Sequence, residues 1–205
     1  MLKRIYPVDD DAGMRASVLS LLTFQSDVSV QCFGSGDTFL DQSATLEPGV
    51  ILLDMNMPGS SGMEVLRKLL EQPDKFVPIV VTGERSIPLA VQAMQAGATD
   101  LLEKPYAPDA LIQAIDTAFD RLAERSRIAR RAETCRCKIA RLSSRERDVL
   151  DGMLDGLSNK EIARVHDISP RTIEVYRANL MTKLGVRTLA GALHIALHAG
   201  IVADS

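Results

Sequence analysis

The sequence predicts an α/β half, a doubly wound five-stranded parallel sheet, joined by a helical linker to an all-α half of four helices. Three observations predict it. Residues 1–120 alternate strand-like with helix-like segments, the pattern of βαβ units. Residues 143–200 read as helix throughout, with legible starts and stops. Charge divides the same way: Lys plus Arg stand at 8 against 17 Asp plus Glu over residues 1–120, and at 16 against 10 over 121–205. An acidic half tied to a basic half points to a cation site and a polyanion site. Most of the basic excess lies in 121–141, at 8 against 2, while 142–205 is balanced at 8 against 8.

The 205 residues suffice for two modest domains, and 46% hydrophobic with 25% charged residues excludes a disordered chain. No apolar run approaches the ~20 residues that cross a bilayer, and no signal-peptide h-region is expected near residue 1. Cys32, Cys135 and Cys137 make no disulfide framework, which favours a reducing cytoplasm, and the lack of a long apolar run leaves no membrane partner expected.

Strands are expected near 3–8, 28–33, 50–54, 78–82 and 100–103. Helices are expected near 12–24, 36–44, 62–72, 86–96 and from 108 onward, with strand order 2-1-3-4-5. Val50-Ile51-Leu52-Leu53 is continuously apolar and suits a strand buried on both faces. Asp54 follows at once, before the loop Met55-Asn56-Met57-Pro58-Gly59, and so falls at a carboxyl strand end, where open α/β sheets bind ligands. The first strand ends in Val8-Asp9-Asp10-Asp11. One such acid commonly opens a helix; several together with Asp54 repel, and a hard divalent cation, Mg²⁺ foremost, compensates. Pro7 is anomalous within a strand. The fourth strand ends in Thr82-Gly83 and the fifth in Lys104-Pro105, bringing a hydroxyl and an ammonium to the same rim. Singly these are a turn residue and a solvated lysine; together they are what a phosphoryl group on Asp54 needs.

Asp9-Asp10, Asp54, Thr82-Gly83 and Lys104-Pro105, in this order and spacing, resemble the receiver domain of two-component response regulators. The resemblance implies that Asp54 accepts phosphate from a sensor histidine kinase. It implies that Asp10, Asp54 and the backbone carbonyl of Asn56 hold Mg²⁺, with Asp9 acting through water. It also implies that Lys104 contacts the phosphoryl group beside a cis peptide, and that Thr82 moves toward the phosphate. One departure stands out: the aromatic residue usual three positions before the lysine is Leu101, which puts a swinging-ring switch in doubt. Haloacid-dehalogenase-type phosphatases share the apolar strand and Asp but require a second Asp two residues on; Asn56 stands there, so the chain is not expected to be an enzyme beyond acting on its own phosphorylation.

From 109 to 151 there is no Gly or Pro, and apolar residues Leu111, Ile115, Ala118, Leu122 and Ala129 recur at helical spacing, so the fifth helix is expected to run on into 121–141. The arginines 125, 127, 130 and 131 there are able to meet phosphates. Ser143 with Glu146 and Ser158 with Glu161 match the capping box, Ser169-Pro170 opens a third helix, and Gly156, Gly185 and Gly200 sit at expected stops. Helices follow near 144–155, 159–166, 170–184 and 188–198, the middle pair forming a helix-turn-helix.

The runs Leu142–Arg147, Gly156–Ala163 and Ile168–Leu184 resemble the LuxR/GerE-type DNA-binding domain, and with the receiver the chain is similar to FixJ/NarL-type transcriptional response regulators. Domains of 1–120 (receiver), 121–141 (linker) and 142–205 (DNA-binding) follow. In the recognition helix Ile173, Leu180 and Leu184 are expected in the core and Glu174, Val175 and Ala178 in the major groove. Asn159, Lys160, Arg171, Thr172, Tyr176, Arg177 and Lys183 are expected on phosphates. Leu189, Leu193, Ile195, Ala196 and His198 are expected to form a dimer surface. Implied partners are the kinase, an inverted-repeat promoter in double-stranded DNA, a second copy when phosphorylated, and RNA polymerase. The alternative is a non-enzymatic interaction module with vestigial phosphorylation.

Overall fold

The computed structural model describes residues 2–23, 27–84 and 86–201. The chain divides after Ser126 into two compact units. In the first, β1 (Lys3–Val8), β2 (Val28–Val30), β3 (Gly49–Asp54), β4 (Phe76–Thr82) and β5 (Asp100–Glu103) form a parallel sheet ordered β2-β1-β3-β4-β5, as expected. Helices α1 (Ala12–Leu22), α2 (Gly36–Ser43), α3 (Gly62–Leu69), α4 (Ile87–Gln95) and α5 (Pro108–Ala140) connect and follow the strands. The helix end expected at residue 24 lies outside the described residues.

Alternate residues of β3 feed two cores. Ile51 and Leu53 pack with Phe39, Val65, Leu66 and Ala93 of α2, α3 and α4, whereas Val50 and Leu52 pack with Val18, Leu22, Leu111 and Ile115 of α1 and α5. Burying each such side chain contributes about 1.5–3 kcal/mol, so the four-residue run Val50–Leu53 anchors both layers at once.

The two strand prolines have a common explanation. In a parallel ladder one residue's N–H and C=O point to the same neighbour. The Pro7 carbonyl accepts from Phe33 N–H at 2.8 Å, so the donor Pro7 lacks would face Gln31, just past the end of β2. That is why β2 stops at Val30 and not at the expected 33. Pro78 likewise accepts from Thr99 N–H at 2.7 Å and turns its missing donor toward the segment before β5. Both prolines sit where an edge strand has run out.

The second unit contains α6 (Ser144–Leu154), α7 (Asn159–Val165), α8 (Pro170–Leu184) and α9 (Leu189–His198). Ser143 and Ser158 form complete capping boxes with Glu146 and Glu161, and Ser169 accepts from Thr172 N–H. Asp167, at φ 51°, makes the turn between α7 and α8. Ile173, Leu180 and Leu184 are fully buried, as their spacing required. Cys135 and Ile139 of α5 join the same core. The expected exposed face of α9 needs correction: Ile195 and Ala196 are buried, because α9 is apolar on two sides and spends one on the core, while Leu189 and Leu197 stay exposed. Among the described residues no helix is long and apolar enough to cross a membrane.

Candidate functional site

Strand register fixes the site. Val8 lies beside Leu53, Asp54 beside Val81, and Thr82 beside Glu103. The residues that end β3 and β4 and those that directly follow β1 and β5 therefore share one rim: Asp54 and Thr82, Asp9 and Lys104. Lys104 Nζ donates to Asp9 Oδ2 and Asp54 Oδ1, each at 2.7 Å. The remaining carboxylate oxygens are also held, since Asn56 N–H donates to Asp54 Oδ2 at 2.7 Å and Asp11 N–H to Asp9 Oδ1 at 2.9 Å. Both acids are buried. Burial pushes the Lys104 pKa down, but its hydrogen bonds to Asp54 and Asp9, with their charges, outweigh this and raise it above 10.5. Lys104 is a cation at every physiological pH.

Thr82 is fully buried, its Oγ1 accepting from Glu84 N–H at 3.1 Å, and its carbonyl accepts from Lys104 N–H at 2.8 Å. The Lys104–Pro105 peptide is cis. Leu101 is half-buried and packs on the core beneath α3 and α4.

Oxygen is the only ligand type the bridged acids and the adjoining carbonyls offer, which fits Mg²⁺, a cation bound through one or two carboxylates that keeps several waters. Among the described residues no group of three or more His, Cys, Asp or Glu is gathered closely enough to hold a metal. Asp10 is the outlier: it is exposed and, among the described residues, makes no hydrogen bond or ion pair.

Two contributors escaped the motif reading. Arg15 donates to the Asp9 carbonyl at 2.6 Å and fixes the end of β1. Gly62 donates its N–H to the Met55 carbonyl at 3.1 Å, and a Cβ there would lie 2.3 Å from the Asp54 carbonyl oxygen. The capping box of Ser61 and Glu64 marks the start of α3, and so was the signal available for Gly62.

In the second unit, α8 turns Glu174, Val175 and Ala178 to solvent, with Val175 53% exposed. Lys160 and Arg171 are exposed, and Arg171 pairs with Glu174 at 3.2 Å, a solvated contact of little energetic weight. Arg177 donates to Asn159 Oδ1 at 3.0 Å, tying α8 to the start of α7. Thr172 shares a hydroxyl contact with Ser169, and Tyr176 is half-buried against the core. Lys183 stands apart from this set: its Nζ lies 2.6 Å from the buried Glu146. Lys138 of α5 donates to the Leu184 carbonyl at 3.0 Å, so charged groups hold the C-terminal end of α8 from two sides.

The Lys183 hydrogen bond is the main reason the Glu146 pKa is lowered; burial opposes it, and Ser143 assists. A lowered folded-state value means this stabilisation is present above the ordinary glutamate value of 4.5 and lost as pH falls through the folded one. Glu146→Gln is expected to cost about 1–2 kcal/mol at neutral pH, with the gap to wild type narrowing below about pH 4.5. Urea denaturation of the full chain at several pH values measures it; a gap constant with pH removes the ion pair from this account.

Comparison with known proteins agrees with the geometry. Residues 5–116 match the response regulator receiver domain family and residues 140–196 the bacterial regulatory proteins of the luxR family. The transcriptional regulatory protein FixJ of Bradyrhizobium diazoefficiens is 42% identical, covering 98% of this chain and 97% of its own. The response regulator protein TmoT of Ectopseudomonas mendocina is 36% identical, covering 93% and 86%. Among solved structures, the response regulator StyR superposes with a TM-score of 0.80 at 34% identity, covering 96% and 99%, and full-length FixJ from B. japonicum with 0.58 at 42%, covering 98% of each. The chain belongs to the FixJ-type response regulators, transcription regulators that join a phosphorylatable receiver to a luxR-family DNA-binding domain.

Proposed function

We propose that Asp54 is the phosphoacceptor and that its phosphorylation by a sensor histidine kinase promotes DNA binding by the second unit. The observation that carries this is the Lys104 bridge between Asp9 and Asp54 at the strand rim. A carboxylate oxygen of Asp54 attacks the phosphorus of the kinase's phosphohistidine; the O–P bond forms as the P–N bond breaks, and the imidazole leaves with the bonding pair. Lys104, held cationic, exchanges the carboxylate for a phosphoryl oxygen. Thr82 Oγ1 accepts from Glu84 N–H and keeps its own proton to donate to a second phosphoryl oxygen. Asp10, Asp54 and the Asn56 carbonyl would hold Mg²⁺, with Asp9 acting through water, and the ion would supply neutralising charge for the phosphoryl oxygens. In Leu101 there is no ring to swing, so the switch runs through Thr82 and the backbone.

The phosphorylated receiver is proposed to favour a dimer, which pairs two DNA-binding units on an inverted repeat. Glu174, Val175 and Ala178 read bases; Asn159, Lys160, Arg171, Thr172, Tyr176 and Arg177 meet phosphates. Lys183 serves mainly to place α8. The working division is 1–120 for the receiver, 121–141 for the linker and 142–205 for the DNA-binding domain. The setting is the cytoplasm, with RNA polymerase as the downstream partner and no catalysis beyond the protein's own phosphorylation and dephosphorylation.

Incubation with Mg²⁺ and a small phosphodonor is expected to give an acid-stable, hydroxylamine-labile adduct that Asp54→Asn abolishes. No adduct on wild type, or one that survives Asp54→Asn, defeats the proposal and leaves the vestigial interaction module standing.

A further inference from the structure

The loop 55–61 carries the Asn56 N–H that holds Asp54 Oδ2, so whatever fixes this loop fixes the acceptor. Its neck is closed by the Gly62 N–H on the Met55 carbonyl, and Met55 and Met57 are buried in the core with Phe39 and Val65. Neither restraint reaches the outer arm, where Pro58 and Gly59 are exposed. That arm is held from α2. Asp37, in the first turn of α2, accepts from Ser60 Oγ at 2.5 Å through Oδ1 and from Ser60 N–H at 3.3 Å through Oδ2. The Ser60 hydroxyl, and then its N–H, hold the Asp37 pKa below the ordinary aspartate value of 3.8, so the group is ionised at neutral pH. Approach is close on both sides. A Cβ on Gly59, whose φ is 77°, would lie 2.3 Å from Asp37 Oδ2, and one on Gly36 would lie 2.6 Å from the Ser60 carbonyl oxygen. An acid in a first turn is commonly explained by the helix dipole. The dipole does not require that both its oxygens be taken up by a residue 23 positions away.

We propose that Asp37 is a positioning residue for phosphoryl transfer, which holds Ser60 and thereby fixes the loop that aims Asp54. This rests on the reading of Asp54 as the phosphoacceptor. Asp37 acts through Ser60 and the chain back to Asn56, not on the reacting atoms. Displacing a reacting group by about 1 Å costs about 100-fold in rate, and losing one of three restraints on the loop is expected to cost about 10-fold. Electrostatics alone predicts the opposite sign, because removing an anion favours the approach of an anionic donor.

The test has two readouts on the full chain. The first is the rate of adduct formation against acetyl phosphate concentration, with Mg²⁺ present. Asp37→Ala is expected to lower the maximal rate about 10-fold and to leave half-saturation by the donor unchanged. Asp37→Asn removes the same charge but keeps an oxygen for the Ser60 hydroxyl, and is expected to lose only about 3-fold. Asp41→Ala, which removes an exposed acid from the same helix, is expected to keep the wild-type rate. The second readout is amide hydrogen exchange without donor or metal, where residues 56–60 are expected to exchange faster in Asp37→Ala and as wild type in Asp41→Ala. A wild-type rate in Asp37→Ala overturns the proposal, as does a slower rate with unchanged exchange in the loop. Equal slowing by Asp41→Ala reduces the effect to charge and overturns it too. Raised half-saturation at an unchanged maximal rate assigns Asp37 to donor binding instead. Wild type that takes no phosphate overturns the reading of Asp54 as well.

Discussion

Lys104→Met is expected to remove about 2–3 kcal/mol of stability at neutral pH, one of the larger losses available to a single side chain here. The ammonium is the cation between two buried carboxylates at 2.7 Å from each. Deleting it exchanges two charge-assisted hydrogen bonds for repulsion between Asp9 and Asp54 in a poorly solvated place. The lysine keeps 20% side-chain exposure, so water offsets part of the cost and the full penalty of a deeply buried pair does not apply. One pH limit follows. The folded-state Lys104 value is raised, so its stabilisation is complete below 10.5 and lost as pH rises through the higher folded value. Urea midpoints for both proteins from about pH 7 to 12 measure this. A variant as stable as wild type at neutral pH, or a gap that widens toward alkali, contradicts the bridge.

The same residue shows why the site was readable from sequence. A continuous apolar run must be an interior strand, interior strands end at one rim, and four strand ends carrying Asp9, Asp54, Thr82 and Lys104 converge without further information. The capping boxes were equally legible, because Ser143 with Glu146 and Ser158 with Glu161 are local rules satisfied locally. Tertiary facts were not. The length of β2 depends on Pro7 of a neighbouring strand. The apolar stripe of α5 fades after Leu122 and resumes at Cys135 and Ile139 because the two stretches face different cores. Lys183 reads as an exposed cation on a DNA-binding helix until Glu146, 37 positions away in sequence, is found against it. Asp10 shows the converse, since a motif position does not by itself place a side chain inside the Lys104 bridge.

Gly62→Val is the second large effect, expected at about 3 kcal/mol and accompanied by loss of the Asp54 adduct. Its Cβ would come within 2.3 Å of the Asp54 carbonyl oxygen and 2.8 Å of Met55 Cα. Both obstacles are backbone, so no rotamer change relieves them. Either α3 withdraws from the end of β3 or the Asp54–Asn56 backbone shifts. Withdrawal breaks the Gly62 to Met55 hydrogen bond; a shift disturbs the Asn56 N–H that holds Asp54 Oδ2. Positioning tolerances for group transfer are tight enough that displacement of about 1 Å costs about 100-fold in rate. Gly83 supplies the contrast on the same rim, since nothing lies within 4 Å of the Cβ it lacks. Gly83→Ala is therefore expected to fold and accept phosphate as wild type does. Thermal melting with adduct formation on both variants separates the cases. If Gly62→Val keeps wild-type stability and phosphorylation, close approach of α3 does not fix the Asp54 loop; if Gly83→Ala fails equally, the rim is intolerant for some reason other than that contact.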